Sequence, residues 1–412
     1  MQSSGKERTD MFKAEDIYKL TLPNELNISP DGQKAAFVVQ SWDKNKNRSI
    51  TNLKMIDLKS GKQRTLTRGC CDRFPRFSPD GSKLAFVSER SGEARIWIIS
   101  LEGGEPWKIE SRHEVTSPPV WSPDGEMIAF SAIEEINSEL RDENDVNVVE
   151  KLYHKFDGYG FFRGRYNQIF TAEVKDPELP QNLKQITTEK LNHYHPSFSP
   201  AGDKIACTIM REDYLEKGVF KHDICYHDLE SKEFNLILRG RGPVKYLDWS
   251  PDGDFIVYIG HQNKYGRATT NGIWFVPVDC SCDFPIGPEQ IINLTAELER
   301  PIGTPVDSDL NYCCVDNTPF KWSEDGCALH FLAADQGSSY IYKLNLSSEL
   351  KEKIKKNNLK KINNISIKKN VGNNQENIRA FDFNKNRYIT VVSKADRPDE
   401  IYLKQKLTEK NA

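Results

Sequence analysis

No stretch of these 412 residues is apolar for long enough to cross a bilayer as a helix. The opening MQSSGKERTD is polar and has no hydrophobic centre of the kind a secretory signal carries. The expected compartment is therefore the cytoplasm, away from membranes. Charge of one sign is also missing. The chain has 57 Lys and Arg against 60 Asp and Glu, a net of −3, mixed along its length. That balance excludes the basic footprint of a nucleic-acid binder. No Gly-x-Ser-x-Gly occurs; Gly337-Ser338-Ser339 has no glycine in the required place. The chain thus offers no nucleophile elbow on which acyl transfer could run.

The nine cysteines have no framework spacing. They stand at 70, 71, 207, 225, 280, 282, 313, 314 and 327, an odd number without a Cys-x2-Cys pair. Cys207, Cys225 and Cys327 fall in strand-like runs and read as small core residues. Cys280, Cys282, Cys313 and Cys314 could together supply zinc ligands, but their spacing fits no standard site. Neither a metal nor a cofactor is expected. His193, His195, His222 and His227 read as loop or packing histidines.

What the chain does have is a repeated corner. Ser-Pro-Xaa-Gly occurs at Ser29–Gly32, Ser78–Gly81, Ser122–Gly125, Ser199–Gly202 and Ser250–Gly253, with a degenerate copy at Ser323-Glu324-Asp325-Gly326. Proline sets the φ that the second position of a type I turn needs, serine suits the first, and glycine supplies the left-handed residue that closes a tight hairpin. An aromatic residue comes before five of the serines: Phe77, Trp121, Phe198, Trp249 and Trp322. A β-rich apolar run follows each glycine. Third strands follow at 95–99, 168–172, 272–276 and 340–344, and fourth strands at 63–66, 107–109 and 184–186. Four antiparallel strands repeated radially make an all-β propeller blade. A seventh unit begins near Ile378, with Asn in place of the corner glycine. Seven blades is the expected count, with six or eight left open, and a β-sandwich is the rival architecture.

The expected organisation is a tail and short helix over 1–24, the propeller over 25–405 and a tail over 406–412. Two segments depart from the repeat. Residues 351–377 are rich in Lys and Asn and read as a flexible surface loop, since no aromatic platform for bases is present. The insertion 133–166 in the third unit holds Glu134, Glu135, Arg163 and Arg165 beside an aromatic, glycine-bearing run, and suits a rim or pocket wall. Paired carboxylates at Glu134 and Glu135 can hold an ammonium, and Arg163 and Arg165 a carboxylate. The plainer alternative is that all four are solvated loop charges.

The repeated aromatic-Ser-Pro-Asp-Gly corner resembles both TolB-like propellers and those of the prolyl oligopeptidase family. The stretch Asp145-Val146…Lys151-Leu152-Tyr153…Phe156-Asp157-Gly158…Gln168-Ile169-Phe170 resembles the third-blade insertion of the acylaminoacyl-peptidase and dipeptidyl-peptidase branch. Ala14-Glu15-Asp16-Ile17-Tyr18 resembles the start of those enzymes, and Arg397-Pro398-Asp399-Glu400-Ile401-Tyr402 their last blade. The resemblance implies a propeller that caps a serine hydrolase and admits short peptides. Without the hydrolase domain, no catalytic residue carries over. The expected role is non-catalytic, with short peptides or a separately encoded α/β-hydrolase subunit as partner. The alternatives are a TolB-like interaction scaffold, or an active site in the central channel built from several blades. The resemblance also implies a ring without strand exchange, held by apolar packing alone between its first and last blades.

Overall fold

The computed structural model describes residues 13–69, 71–135, 149, 152, 154–156, 160–161, 164–175, 181–211, 220–278, 284–303, 319–356, 365–385 and 387–404. Each corner is organised by one hydroxyl. Ser29 Oγ donates to Asp31 Oδ1 at 2.5 Å and accepts from Lys34 N at 2.9 Å. Gly32 N donates to Ser29 O at 2.8 Å, with Gly32 at φ +71°. The fourth corner has Ala201 where the others carry a carboxylate. There Asp203 takes over, accepting from Ser199 Oγ at 2.7 Å. The degenerate sixth corner keeps the bond through Asp325, at 2.6 Å from Ser323 Oγ.

Around these corners the chain forms successive antiparallel units. The first runs Leu22–Ile28, Lys34–Asp43, Arg48–Asp57 and Gln63–Thr65. The second is Arg73–Phe77, Lys83–Ser88, Arg95–Ser100 and Trp107–Lys108. The third is Val120–Trp121, Met127–Glu135, Arg165–Glu173 and Leu183–Gln185. The fourth comprises Asn192–Phe198, Lys204–Met210, Asp223–Asp228 and Phe234–Leu238. Val244–Trp249, Phe255–Gly260, Gly272–Pro277 and Ile292–Asn293 make the fifth. Phe320–Trp322, Ala328–Asp335, Ser338–Asn345 and Ile367–Val371 make the sixth. The last described unit is Asn377–Asn384, Arg387–Lys394 and Arg397–Lys404, tied to the sixth by one parallel bridge, Ser339 to Asn377.

The middle strands are buried on both faces, because each sheet is covered by its neighbours. Lys83–Ser88 is buried at every position but the first, whereas the outer strand Gln63–Thr65 is exposed throughout. One apolar cluster fills each gap between consecutive units. Ala36, Val38 and Leu53 of the first meet Leu84 and Phe86 of the second. The cluster that closes the series joins Ala380, Ile389 and Val391 of the last unit to Leu26, Ile28 and Phe37 of the first.

The corners also nest. A methyl group placed on Gly81 would stand 3.5 Å from Pro30 Cδ of the preceding unit. The same relation recurs for Gly125 with Pro79, Gly202 with Pro123, Gly253 with Pro200 and Gly326 with Pro251. Gly32 of the first unit meets Lys385 of the last, which continues the row across the closure. In that last turn Lys385 is left-handed, at φ +46°, and Asn386 lies outside the described residues.

Two expectations change. The closure is not apolar alone: Asp382 Oδ2 accepts from Ile28 N at 2.8 Å and Asn27 Nδ2 at 3.1 Å, and Asn384 Nδ2 donates to Ser29 O at 2.9 Å. The segment 351–377 holds the end of helix Ser348–Lys355 and the edge strand Ile367–Val371. Ser347 caps that helix, and Ile354 is buried on it; both escape a reading based on lysine content. The short helix expected within 1–24 is a 3-10 helix, Ala14–Lys19, with no buried residue.

Candidate functional site

Every corner joins the first and second strands of its unit, so all corners lie on one face of the ring. The strand Met127–Glu135 leaves its corner and ends at Glu135, nine residues on. At about 3.3 Å per residue its end lies on the opposite face, nearly 30 Å away. It pairs with Arg165–Glu173 in a register that sets Glu135 against Arg165 and Glu134 against Tyr166. The long connection between them includes a small ribbon pairing Lys155 with Phe161 and Phe156 with Gly160.

Glu134, Glu135 and Arg165 thus come together at one hairpin end, while Arg163 lies outside the described residues. Arg165 Nη2 is 3.3 Å from Glu114 Oε2, and its Nε is 3.7 Å from Glu135 Oε1. Glu134 Oε2 is 2.8 Å from His113 Nδ1, and Oε1 is 3.1 Å from Arg112 Nη2. The imidazole of His113 stacks on Phe170 with ring centres 4.4 Å apart. Burial pushes its pKa down, and the Glu134 carboxylate opposes that push without overcoming it. Arg112, by contrast, is 81% exposed.

Arg112, His113 and Glu114 were not singled out in the sequence. They follow the short strand Trp107–Lys108 and reach the hairpin through an isolated bridge between Val115 and Ala132. Only a register across the sheet connects them, and no local pattern encodes it. The cluster alternates cations and carboxylates. Such an arrangement can exchange one of its own charges for the terminus of a peptide, but it presents no activated nucleophile.

Other ionic groups lie at the same ends of neighbouring strands. Asp72 meets Arg90, Asp223 meets Arg211 and Arg239, and Asp335 meets Arg300 and Lys369. Beside the last of these is an open depression of about 430 Å³ that includes Arg300, Asp335 and Gly337. Among the described residues, the side chains grouped closely enough to hold a metal are Cys207, Cys225 and His227, inside the fourth sheet. Cys280, Cys282, Cys313 and Cys314 lie outside the described residues. No helix among the described residues is long and apolar enough to cross a membrane.

Residues 25–153 match the TolB β-propeller domain family, PD40. Over 405 residues the chain is 28% identical to an uncharacterized peptidase, YuxL, of Bacillus subtilis, covering 95% of this chain and 56% of that protein. It is 25% identical over 173 residues to dipeptidyl-peptidase 5 of Porphyromonas gingivalis, covering 39% of this chain and 25% of that protein. The chain therefore spans little more than half the length of the first of these relatives, and a quarter of the second. Its structure is similar to the acylaminoacyl peptidase of Pyrococcus horikoshii, with a TM-score of 0.65 at 17% identity, over 95% of this chain and 53% of that one. It is also similar to the β-propeller domain of the Trilobed protease from Pyrococcus furiosus, with a TM-score of 0.58 at 16% identity, over 94% of this chain and 96% of that one. The radial sheets are those of a β-propeller whose residues 25–153 match the TolB β-propeller domain family, and the proteins it resembles over most of its length include peptidases.

Proposed function

We propose that this propeller is the non-catalytic, substrate-gating part of an acylaminoacyl- or dipeptidyl-type serine peptidase. It acts in the cytoplasm and binds short peptides, an α/β-hydrolase partner, or both. The observation that carries this reading is the continuity of the likeness to YuxL, which extends over 95% of the chain rather than over the corner repeats alone. The charged hairpin end gives the reading its chemistry. Glu134 and Glu135 receive the peptide ammonium, and Arg165, with Arg163, receives the carboxylate. An incoming ammonium replaces Arg112 on Glu134; that exchange costs little, because an ion pair with so exposed an arginine contributes at most about 1 kcal/mol.

Calorimetry on the intact chain tests this. Tripeptides with a free amino terminus should bind, and their acetylated counterparts should bind at least tenfold more weakly. The double substitution Glu134→Gln with Glu135→Gln should remove that difference. Equal affinities for both peptide forms, unchanged by the double substitution, would discard the ammonium role.

The match of residues 25–153 to the TolB domain favours a second reading, an interaction scaffold without a peptidase connection. Affinity capture separates the two. A co-purifying serine hydrolase favours the gating role, and recovery of unrelated assemblies favours the scaffold.

A further inference from the structure

Side chains of metal-binding chemistry converge inside the fourth sheet, away from the charged hairpin end. Cys207 on Lys204–Met210 lies directly opposite Cys225 on Asp223–Asp228, and their sulfurs are 3.3 Å apart. His227 is two residues beyond Cys225 and so projects from the same face of the sheet. One ligand atom from each of the three falls within 4.8 Å of the others, and all three residues are buried. His193 is fully buried on the inner strand Asn192–Phe198, and its ring lies edge-on to that of His227 with centres 6.4 Å apart.

Two further observations point to a ligand. His193 Nδ1 lies 3.2 Å from Leu191 O, so that nitrogen carries the hydrogen and Nε2 presents a lone pair. Nε2 of His193 and Nε2 of His227 are both buried without a hydrogen-bond partner. Ala129, Ile169, Ile205 and Ile209 belong to the same apolar cluster as both cysteines. Packing alone accounts for the cysteines but leaves neither nitrogen with a well-formed hydrogen bond: Glu189 Oε2 stands 3.7 Å from His193 Nε2, and His227 has the Cys207 thiol beside it. A disulfide between Cys207 and Cys225 would leave the same two nitrogens unpaired.

We propose that Cys207, Cys225, His227 and His193 form a closed structural site for zinc, with two sulfur and two nitrogen ligands. Thiolate and imidazole in tetrahedral array are the donor set that selects zinc over the oxygen-seeking cations. Zinc–sulfur bonds hold two tetrahedral sulfurs about 3.8 Å apart, so the observed pair opens by about half an ångström on binding. Each cysteine releases its proton to solvent, and the two thiolates neutralise the dication, so no net charge is buried. The bond from His193 Nδ1 to Leu191 O is then the outer-shell contact that orients the ligating ring. Glu189 Oε2, 3.7 Å from His193 Nε2 and half-exposed, is the competing fourth donor. The site ties three strands of one blade together and has no open position for substrate.

The test is elemental analysis of the intact chain, grown with zinc and desalted. It should carry about one zinc per chain. Cobalt in its place should show thiolate-to-metal charge-transfer absorption with the strong visible bands of a tetrahedral centre. Cys207→Ser and Cys225→Ser should each abolish stoichiometric zinc, and Cys280→Ser with Cys282→Ser should retain it. Should the cysteine variants fail to fold, His227→Gln and His193→Gln, checked by circular dichroism, should lower zinc affinity at least tenfold, and Glu189→Gln should not. Chelation of the wild type should lower Tm by several degrees. Absence of stoichiometric zinc from folded protein, zinc retained by the Cys207 and Cys225 variants, or a Cys207–Cys225 disulfide in zinc-free protein would each overturn the proposal.

Discussion

The phenolic hydroxyl of Tyr388 lies 2.8 Å from Nδ1 of His330, inside the packing between the sixth and last units. Asn370 Nδ2 donates to that same hydroxyl, so the tyrosine in turn donates to a neutral imidazole. Burial pushes His330 down to about 4, with Lys343 adding to the push and Asp325 opposing it. The folded-state value is thus below the ordinary 6.5. This contribution to stability is therefore complete above pH 6.5 and is lost as pH falls through 4. The total is at most about 3 kcal/mol. Urea unfolding at pH 7.5 and at pH 4.5 should show the wild type losing more stability than His330→Gln. Other buried histidines add their own slope, so the difference between the two proteins is the informative quantity. Parallel loss in both would dismiss the linkage.

Asp382 is the hinge of the ring closure. One carboxylate serves Ile28 N, Asn27 Nδ2 and Phe383 N, and lies 3.2 Å from Lys321 Nζ. Its side chain is almost wholly buried. Asp382→Ala leaves two backbone donors and an ammonium without their acceptor, at an expected cost of about 3–5 kcal/mol. Asp382→Asn keeps one oxygen and should cost less than half of that. A loss below 1 kcal/mol for the alanine variant, measured by chemical denaturation, would leave the apolar cluster as the main tie between first and last units.

Much of this fold is legible in the sequence, because the corner is local. Serine, proline, aspartate and glycine each do their work within six residues, and every corner so written forms as written. The closure is not local: Asp382 and Ile28 are separated by nearly the whole chain, and no periodicity links them. The sixth unit shows a different limit. Its edge strand Ile367–Val371 lies in a lysine-rich stretch whose exposed positions hide a buried Asn370 and Val371.

Gly81, in a corner, and Gly61, in the turn before the outer strand Gln63–Thr65, allow a clean separation of strain from contact. Gly81 and Gly61 sit at nearly the same φ, +73° and +71°. A methyl on Gly81 would stand 3.5 Å from Pro30, an ordinary contact, whereas one on Gly61 would meet nothing within 4 Å. Backbone strain should therefore dominate both substitutions. Gly81→Ala and Gly61→Ala should each cost about 1–2 kcal/mol, and by similar amounts. A Gly81 variant twice as costly as its counterpart would mean that the nesting of successive turns tolerates no added carbon.

The charged hairpin end was half-legible. Glu134 and Glu135 are adjacent in the chain, whereas Arg165 comes opposite them only through the register of strands joined by a long connection. Arg112, His113 and Glu114 approach through a different segment, and the cysteines and histidines of the fourth sheet come from three separate strands. Residues two apart on a strand share a face, which ties Cys225 to His227. Cys207 joins them only once the pairing of its strand is known.

Asp72 and Arg90 show how such an ionic group supports the fold without any ligand. Both carboxylate oxygens accept from Arg90 Nη2 at 2.9 Å, and Asp72 is wholly buried. The guanidinium also donates through Nε to Ser88 Oγ and lies over the rings of Phe86 and Trp97, 5.2 and 4.9 Å from their centres. Asp72→Leu alone leaves a cation facing apolar carbon and should cost about 3–5 kcal/mol. Arg90→Met alone strands a wholly buried carboxylate and should cost more, toward the upper end of that range. The double variant removes both charges and fills similar volume, so it should be more stable than either single change by at least 2 kcal/mol. Because Arg90 keeps contact with solvent, part of the single-variant cost can be relieved by its turning outward, so Asp72→Leu should be the milder of the two. Additive losses in the cycle would show that the two side chains act on the fold independently, whatever their separation.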